Sequence, residues 1–119
     1  MLNTFTKGHN MAESTSETPV LDMLANMTAD SLEASSLDPQ TLMLVRIAAL
    51  AAVDAPTVSY LMNLGVAAEV DIDAEEVRGV LAAIAPIVGT ARVASATGKI
   101  VKALAVAIEV AEDDAQRAN

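Results

Sequence analysis

The sequence contains no cysteine and no tryptophan, and it has one phenylalanine, one tyrosine and one histidine. Without cysteine, the chain has no means of forming a disulfide, a thiolate metal site or a dithiol redox pair. Its single histidine, His9, lies in a polar segment near the start. A Ser–His–Asp relay or a histidine-ligated zinc site is therefore not expected. We predict a protein that uses no metal and no cofactor.

Basic residues are also scarce, with 7 lysines and arginines against 16 acids and a formal net charge of −9. This balance argues against nucleic-acid binding and against docking on an anionic membrane surface. No apolar run reaches the ~18–20 residues of a membrane span, and no signal peptide is expected. The predicted location is cytoplasmic. The sequence leaves open whether translation starts at Met1 or at Met11.

What the sequence does contain is alanine, valine and leucine in helical patterns, with 53% hydrophobic residues overall. Residues 1–17 are small and polar and are predicted to form a flexible tail, followed by one helical domain over 18–115. Capping residues, prolines and apolar spacing predict five helices. Their approximate ranges are 19–28, 39–53, 55–68, 74–88 and 90–114. A Ser/Asp-rich connection is expected over 30–36. No strand pattern of period two persists, so we predict an all-α, compact helical bundle.

The helix predicted over 39–53 is apolar on nearly every side. A helix of this kind is usually buried, and a chain of 119 residues has little of its own to surround it. We therefore expect a homo-oligomer.

Four polar side chains are candidates for contact with a small anionic ligand. Arg46 stands alone within the apolar helix, where it must reach solvent, pair with a carboxylate or bind an anion. Arg92 follows the predicted start of the last helix, where backbone N–H groups favour anions. Tyr60 and Ser95 are possible hydrogen-bond donors, although neither alone indicates catalysis. The acidic run over 69–76 does not fit a calcium-binding loop and is better explained as helix capping.

Two stretches of the chain resemble the carboxymuconolactone decarboxylase family, which includes the alkylhydroperoxidase D-like proteins. The first is Leu37-Asp38-Pro39-Gln40-Thr41, followed by Leu44-Val45. The second runs from Asp73-Ala74-Glu75-Glu76-Val77 through Val80-Leu81 to Ala85-Pro86-Ile87-Val88-Gly89-Thr90-Ala91. The resemblance covers roughly residues 37–108. It implies an alkylhydroperoxidase D-like all-α subunit that assembles into trimers or hexamers.

The functional residues of that family do not carry over. The redox cysteines fall on Ala55 and Val58, the following histidine falls near Met62 or Asn63, and the glutamate falls on Met43. Because none of these side chains relays a proton or forms a disulfide, peroxidase and disulfide-reductase activity is not expected. Decarboxylating members resemble one another in carrying histidines in the middle and last helices, and the last-helix position falls near Ser95.

Three functions remain open at this stage, and no catalytic residue is assigned. The first is a non-catalytic or divergent oligomeric member of the family, structural or ligand-binding. The alternative is a decarboxylase-like enzyme acting on a small dicarboxylate lactone or a related anion, with Arg46 and Arg92 binding carboxylates and Tyr60 or Ser95 orienting the ligand. A third is a helical module that binds a partner through residues 1–17.

Overall fold

The computed structural model describes residues 17–118, and all regular secondary structure in this range is α-helical. The five helices are α1 (Pro19–Ala34), α2 (Pro39–Ala52), α3 (Thr57–Glu69), α4 (Ala74–Val88) and α5 (Thr90–Ala118). The prediction of an all-α protein is confirmed. Residues 1–16, which hold most of the predicted tail together with His9 and Met11, lie outside the described residues. Across the described part, no helix has the length and apolar character needed to cross a membrane.

The chain divides into two compact units between Ser36 and Leu37. Within the first unit, α1 has no buried residue, and its apolar side chains are exposed. The sequence prediction ended this helix near residue 28, which is wrong. No glycine or proline follows Pro19 until Pro39, so the Ser/Asp-rich stretch continues the helix. It ends only where Ser35 becomes extended.

The second unit consists of α2 to α5 packed around one aliphatic core. Helix α2 contacts each of the other three helices, and the most extensive contact joins α3 to α5. The largest fully buried side chains are Met43, Ile47 and Tyr60. Burial of such side chains is worth about 1.5–3 kcal/mol each, so this cluster holds the unit together.

Helix α2 begins as its sequence predicts. Pro39 occupies the first turn, and the Asp38 side chain accepts a hydrogen bond from the Thr41 backbone N–H at 2.9 Å. The helix buries one face through Leu42, Met43 and Ile47, among others. Val45, on another face, is 52% exposed. The four-helix unit therefore covers α2 only in part, and an apolar surface remains on it.

Helices α4 and α5 are separated by Gly89 alone, whose φ of 89° is a conformation that glycine adopts without strain. The predicted cap at the start of α4 is confirmed as a capping box. Asp73 accepts from the Glu76 N–H at 2.8 Å, and the Glu76 carboxylate accepts from the Asp73 N–H at 3.2 Å. Pro86 lies inside α4, near its end.

The sequence prediction ended α5 near residue 114, but the helix continues to Ala118. An ion pair one turn apart, Arg117 with Asp113 at 3.0 Å, lies in its last turns. The last buried residue of α5 is Ala103, and every residue from Leu104 to Arg117 is exposed.

Candidate functional site

The turn that ends α2 brings a carboxylate against α5. Asp54 has a φ of 54°, in the left-handed region that aspartate tolerates better than most residues. The chain then closes back on the helix, because the Ala55 N–H donates to the Leu50 carbonyl at 2.9 Å. This geometry turns the Asp54 side chain towards the middle of α5.

Two residues one turn apart on α5 donate to the same carboxylate oxygen. Ser95 Oγ lies 2.6 Å and Lys99 Nζ lies 2.9 Å from Asp54 Oδ1. The hydrogen bond from Ser95, followed by that from Lys99, lowers the pKa of Asp54. Asp54 is therefore held as a carboxylate with its charge directed at α5.

The same lysine and a nearby arginine also bind backbone carbonyls at the end of α2. Lys99 Nζ donates to the carbonyls of Asp54 at 3.3 Å and Ala55 at 2.8 Å, and Arg92 donates to the carbonyl of Ala52. Carbonyls at a helix C-terminus have no intrahelical partner and carry partial negative charge. Arg92 therefore caps α2, Lys99 holds the turn that follows it, and together they fix α5 to this end of α2.

Tyr60 lies next to this cluster but takes no hydrogen bond from it. Its side chain is completely buried, and its hydroxyl is the buried side-chain polar atom of residues 17–118 that lacks a partner. Burial raises the pKa of Tyr60, and the negative charge of Asp54 raises it further. The hydroxyl is thus kept protonated in an apolar surrounding.

Three of the four sequence-predicted ligand residues meet around the end of α2, namely Tyr60, Ser95 and Arg92. The fourth, Arg46, is half-buried in the middle of α2. Sequence reasoning did not find Asp54 or Lys99. The signal for Lys99 was present, because Ser95 and Lys99 are four residues apart on one helix and therefore share a face. The signal for Asp54 was its place between α2 and Pro56, where a turn is expected.

The polar groups of this cluster bind one another, and these contacts limit the reactions that they can carry out. A serine acts as a nucleophile when a nearby base takes its proton, and Asp54, whose pKa is lowered, is a poor base. Here the Ser95 hydroxyl donates to a carboxylate, and Lys99 is engaged in an ion pair with the same carboxylate. Among the described residues, no group of three or more histidines and acids is arranged to hold a metal ion. The cluster is built to join two helices.

A second feature is an apolar groove of about 600 Å³ on another side of the unit. Helices α3, α4 and α5 form its walls, and it contains none of the four predicted ligand residues. Its charged residues are Asp73, already engaged in the capping box, and Arg78. The apolar lining from α5 includes Val93, Ile100, Val101 and Leu104.

Comparison of the chain with models of known protein families, with curated proteins and with solved structures gives no match.

Proposed function

We propose that this chain is a non-catalytic helical subunit that associates with copies of itself, a divergent carboxymuconolactone decarboxylase-like protein without the chemistry of that family. The observation that carries this proposal is the apolar surface left on the four-helix unit. Six of its exposed large side chains are Val45, Val53, Ile87, Val101, Leu104 and Ile108. An interface between proteins would bury exposed apolar side chains of this number and size.

The polar cluster supports the non-catalytic part of the proposal. Each charged group in it already has a partner within the chain. Arg92 binds a helix carbonyl, and Lys99 binds both a carbonyl and Asp54. A ligand carboxylate would have to displace these contacts before it gained any of its own.

The groove supports the self-association part. An enzyme pocket of this size usually places a few convergent polar groups among its apolar walls. In this groove, Thr97 and Arg78 are the polar side chains besides the capping residue Asp73. An apolar side chain or helix face is the occupant that such a lining favours.

The test is the mass of the full chain in solution by sedimentation velocity and light scattering, over a range of protein concentrations. We expect a dimer or larger assembly whose fraction grows with concentration. A protein that stays monomeric at the highest concentration reached contradicts the proposal. A small-molecule turnover that is abolished by Ser95→Ala would contradict its non-catalytic part.

A second function is favoured by the meeting of Tyr60, Ser95 and Arg92 around Asp54. In this alternative, the chain is a decarboxylase-like enzyme for a small dicarboxylate lactone or related anion, and the Ser95 hydroxyl, which is less buried than that of Tyr60, orients the ligand. Its test is thermal unfolding with a panel of dicarboxylates and lactones. A stabilisation that is lost in Ser95→Ala supports the alternative, and the absence of any shift across the panel excludes these ligands.

A further inference from the structure

The C-terminal half of α5 is a helix without a partner in its own unit. Fifteen residues, Leu104 to Ala118, follow the last buried residue of the helix, and they span about 22 Å at 1.5 Å per residue. An isolated helix of this length is marginally stable in water. This one also exposes large apolar side chains, including Ile108 at 59% and Val110 at 55%. A second surface that covers these side chains would stabilise the segment.

Three of the exposed large apolar side chains of α5, Val101, Leu104 and Ile108, follow the spacing of a coiled-coil seam, whereas Val106 and Val110 lie on another face. The seam, as we use the word here, consists of Thr97, Val101, Leu104, Ile108, Ala111 and Ala115. Successive members are four or three residues apart, and this alternation keeps them on one face of two paired helices. Its first three members also line the groove. The seam is therefore continuous with the groove.

The charges of α5 separate into two halves. Its first half carries no acid and three bases, of which Arg92 and Lys99 hold the end of α2 and the turn after it, and Lys102 is exposed. Its second half carries Glu109, Glu112, Asp113 and Asp114 against one base, Arg117. If two copies of α5 pair in parallel, like charges face each other in both halves. If they pair in opposite directions, the acidic half of each copy lies along the basic half of the other.

We propose that the seam of α5 pairs antiparallel with the seam of α5 in a second copy of this chain, and that the C-terminal half of each helix covers the groove of the other copy. Ile108 and Ala111 then replace water against the groove lining. Arg78 of the groove adds a positive charge where the acidic half of the partner helix arrives. The inference rests on the proposed self-association and specifies its interface.

The predicted contact has two-fold symmetry, because each copy gives the same surface and receives the same surface. Helix α1 is the competing occupant, since it too has an exposed apolar face. Every charged residue of α1 is acidic, as are most of those in the second half of α5, so charge does not distinguish the two helices. The position of the seam does, because Thr97, Val101 and Leu104 belong both to the seam and to the groove lining. Continuity with the groove therefore favours α5 as the partner of α5. A two-fold contact builds a dimer, or a hexamer made of dimers, but not a trimer.

The test begins with two matched substitutions in the full chain. Leu104 and Leu24 are both partly exposed leucines, 48% and 42% exposed, on α5 and α1 respectively. We expect Leu104→Asp to weaken association at least about tenfold, which corresponds to about 1.4 kcal/mol, while Leu24→Asp leaves it unchanged. Circular dichroism confirms that both variants remain helical. Dissociation by Leu24→Asp together with an unchanged Leu104→Asp overturns the proposal in favour of α1.

The direction of pairing is tested by cross-linking, which the absence of native cysteine makes simple. Leu104 is the midpoint of α5, whereas Gln116 lies near its end. An antiparallel pair brings the two midpoints together and separates the two ends. We expect Leu104→Cys to form a disulfide-linked dimer under mild oxidation, and Gln116→Cys to form little. Equal cross-linking of both variants overturns the antiparallel arrangement.

Reversing the charges on the two sides of the interface tests whether opposite charges hold the antiparallel pair together. Glu109→Lys with Glu112→Lys makes the second half of α5 basic and is expected to abolish association. Adding Arg78→Glu and Lys102→Glu to the same chain restores opposite charges in an antiparallel pair, and association returns. Failure of this rescue contradicts the proposal.

The three experiments together separate this interface from self-association in general. If the wild-type chain associates and none of these substitutions changes its association, this interface is wrong while self-association stands. If the wild-type chain is monomeric, the proposed function fails as well.

Discussion

Lys99 Nζ lies 2.9 Å from Asp54 Oδ1, although the two residues are 45 positions apart in the chain. This ion pair joins the middle of α5 to the turn that leaves α2. Since Lys99 also binds the Ala55 carbonyl, it acts on both the charge and the backbone of that turn. Ser95 and Arg92 bind the same region, so three side chains of α5 hold this end of α2.

Removing the lysine charge should lower stability. We expect Lys99→Met to reduce the free energy of unfolding by about 1 kcal/mol, because a charge-assisted hydrogen bond to a half-buried carbonyl is lost while the aliphatic stem is kept. The matched control is Lys102→Met on the same helix, where Lys102 is exposed. Urea unfolding at neutral pH measures both variants. Equal effects at the two positions would show that the contact contributes nothing specific.

The lowered pKa of Asp54 predicts how its contribution depends on pH. The carboxyl has an ordinary pKa of 3.8 and a lower one in the folded protein, so the folded state binds fewer protons in acid than the unfolded state does. The stabilisation is present above about pH 4 and is lost as the pH falls through the folded pKa.

This dependence is measured as the difference in Tm between the wild-type chain and Asp54→Asn. We expect the difference to be constant from pH 7 to pH 5 and to shrink below pH 4. Asparagine tolerates the left-handed backbone at this position, so the variant isolates the charge. A difference that grows in acid would show that the carboxylate is unfavourable in the fold.

Removing the hydroxyl of Tyr60, unlike the substitutions above, is not expected to lower stability. Its buried hydroxyl lacks a hydrogen-bond partner among the described residues, and burial without a partner costs free energy. We expect Tyr60→Phe to leave stability unchanged or to raise it by up to about 1 kcal/mol. Urea unfolding measures the change, provided that the free energy of unfolding depends on urea concentration with the same slope in both proteins. A loss of more than about 1 kcal/mol would reveal a partner for the hydroxyl, such as a bound water.

The capping box of α4 provides the fourth prediction. Asp73→Ala should lower the free energy of unfolding by about 1 kcal/mol, because the Glu76 N–H loses its acceptor at the helix start. Asp73→Ser keeps an oxygen at the cap and should retain most of the stability. Thermal unfolding of the three proteins side by side gives the comparison. Equal losses in both variants would mean that the cap is not the source of the effect.

The sequence predicted the helices of the second unit well, because their starts carry strong local signals. Asp38 with Pro39 and Asp73 with Glu76 each satisfy backbone groups within one turn, so the cap depends on a few adjacent residues. The end of α1 was predicted too early because no strong local signal marks it. Serines and aspartates disfavour a helix only weakly, and without glycine or proline they did not stop it.

The polar cluster was predicted only in part. Ser95 and Arg92 were identified as single residues on a helix, where nothing local shows which other helix they meet. Their partners are a carboxylate and a carbonyl about forty residues earlier in the chain. Contacts of that kind depend on how α2 and α5 pack, which a helical pattern does not specify. For the same reason, the groove had no signature in the sequence.

The length of α5 has a practical consequence for spectroscopy. The helix is about 43 Å long, and its C-terminal 15 residues lie beyond the last buried one. A dye attached to the cysteine of the Gln116→Cys variant therefore lies on an exposed turn well beyond Ala103, the last buried residue of the helix. It will report what approaches the end of the helix while leaving the folding equilibrium of the unit undisturbed.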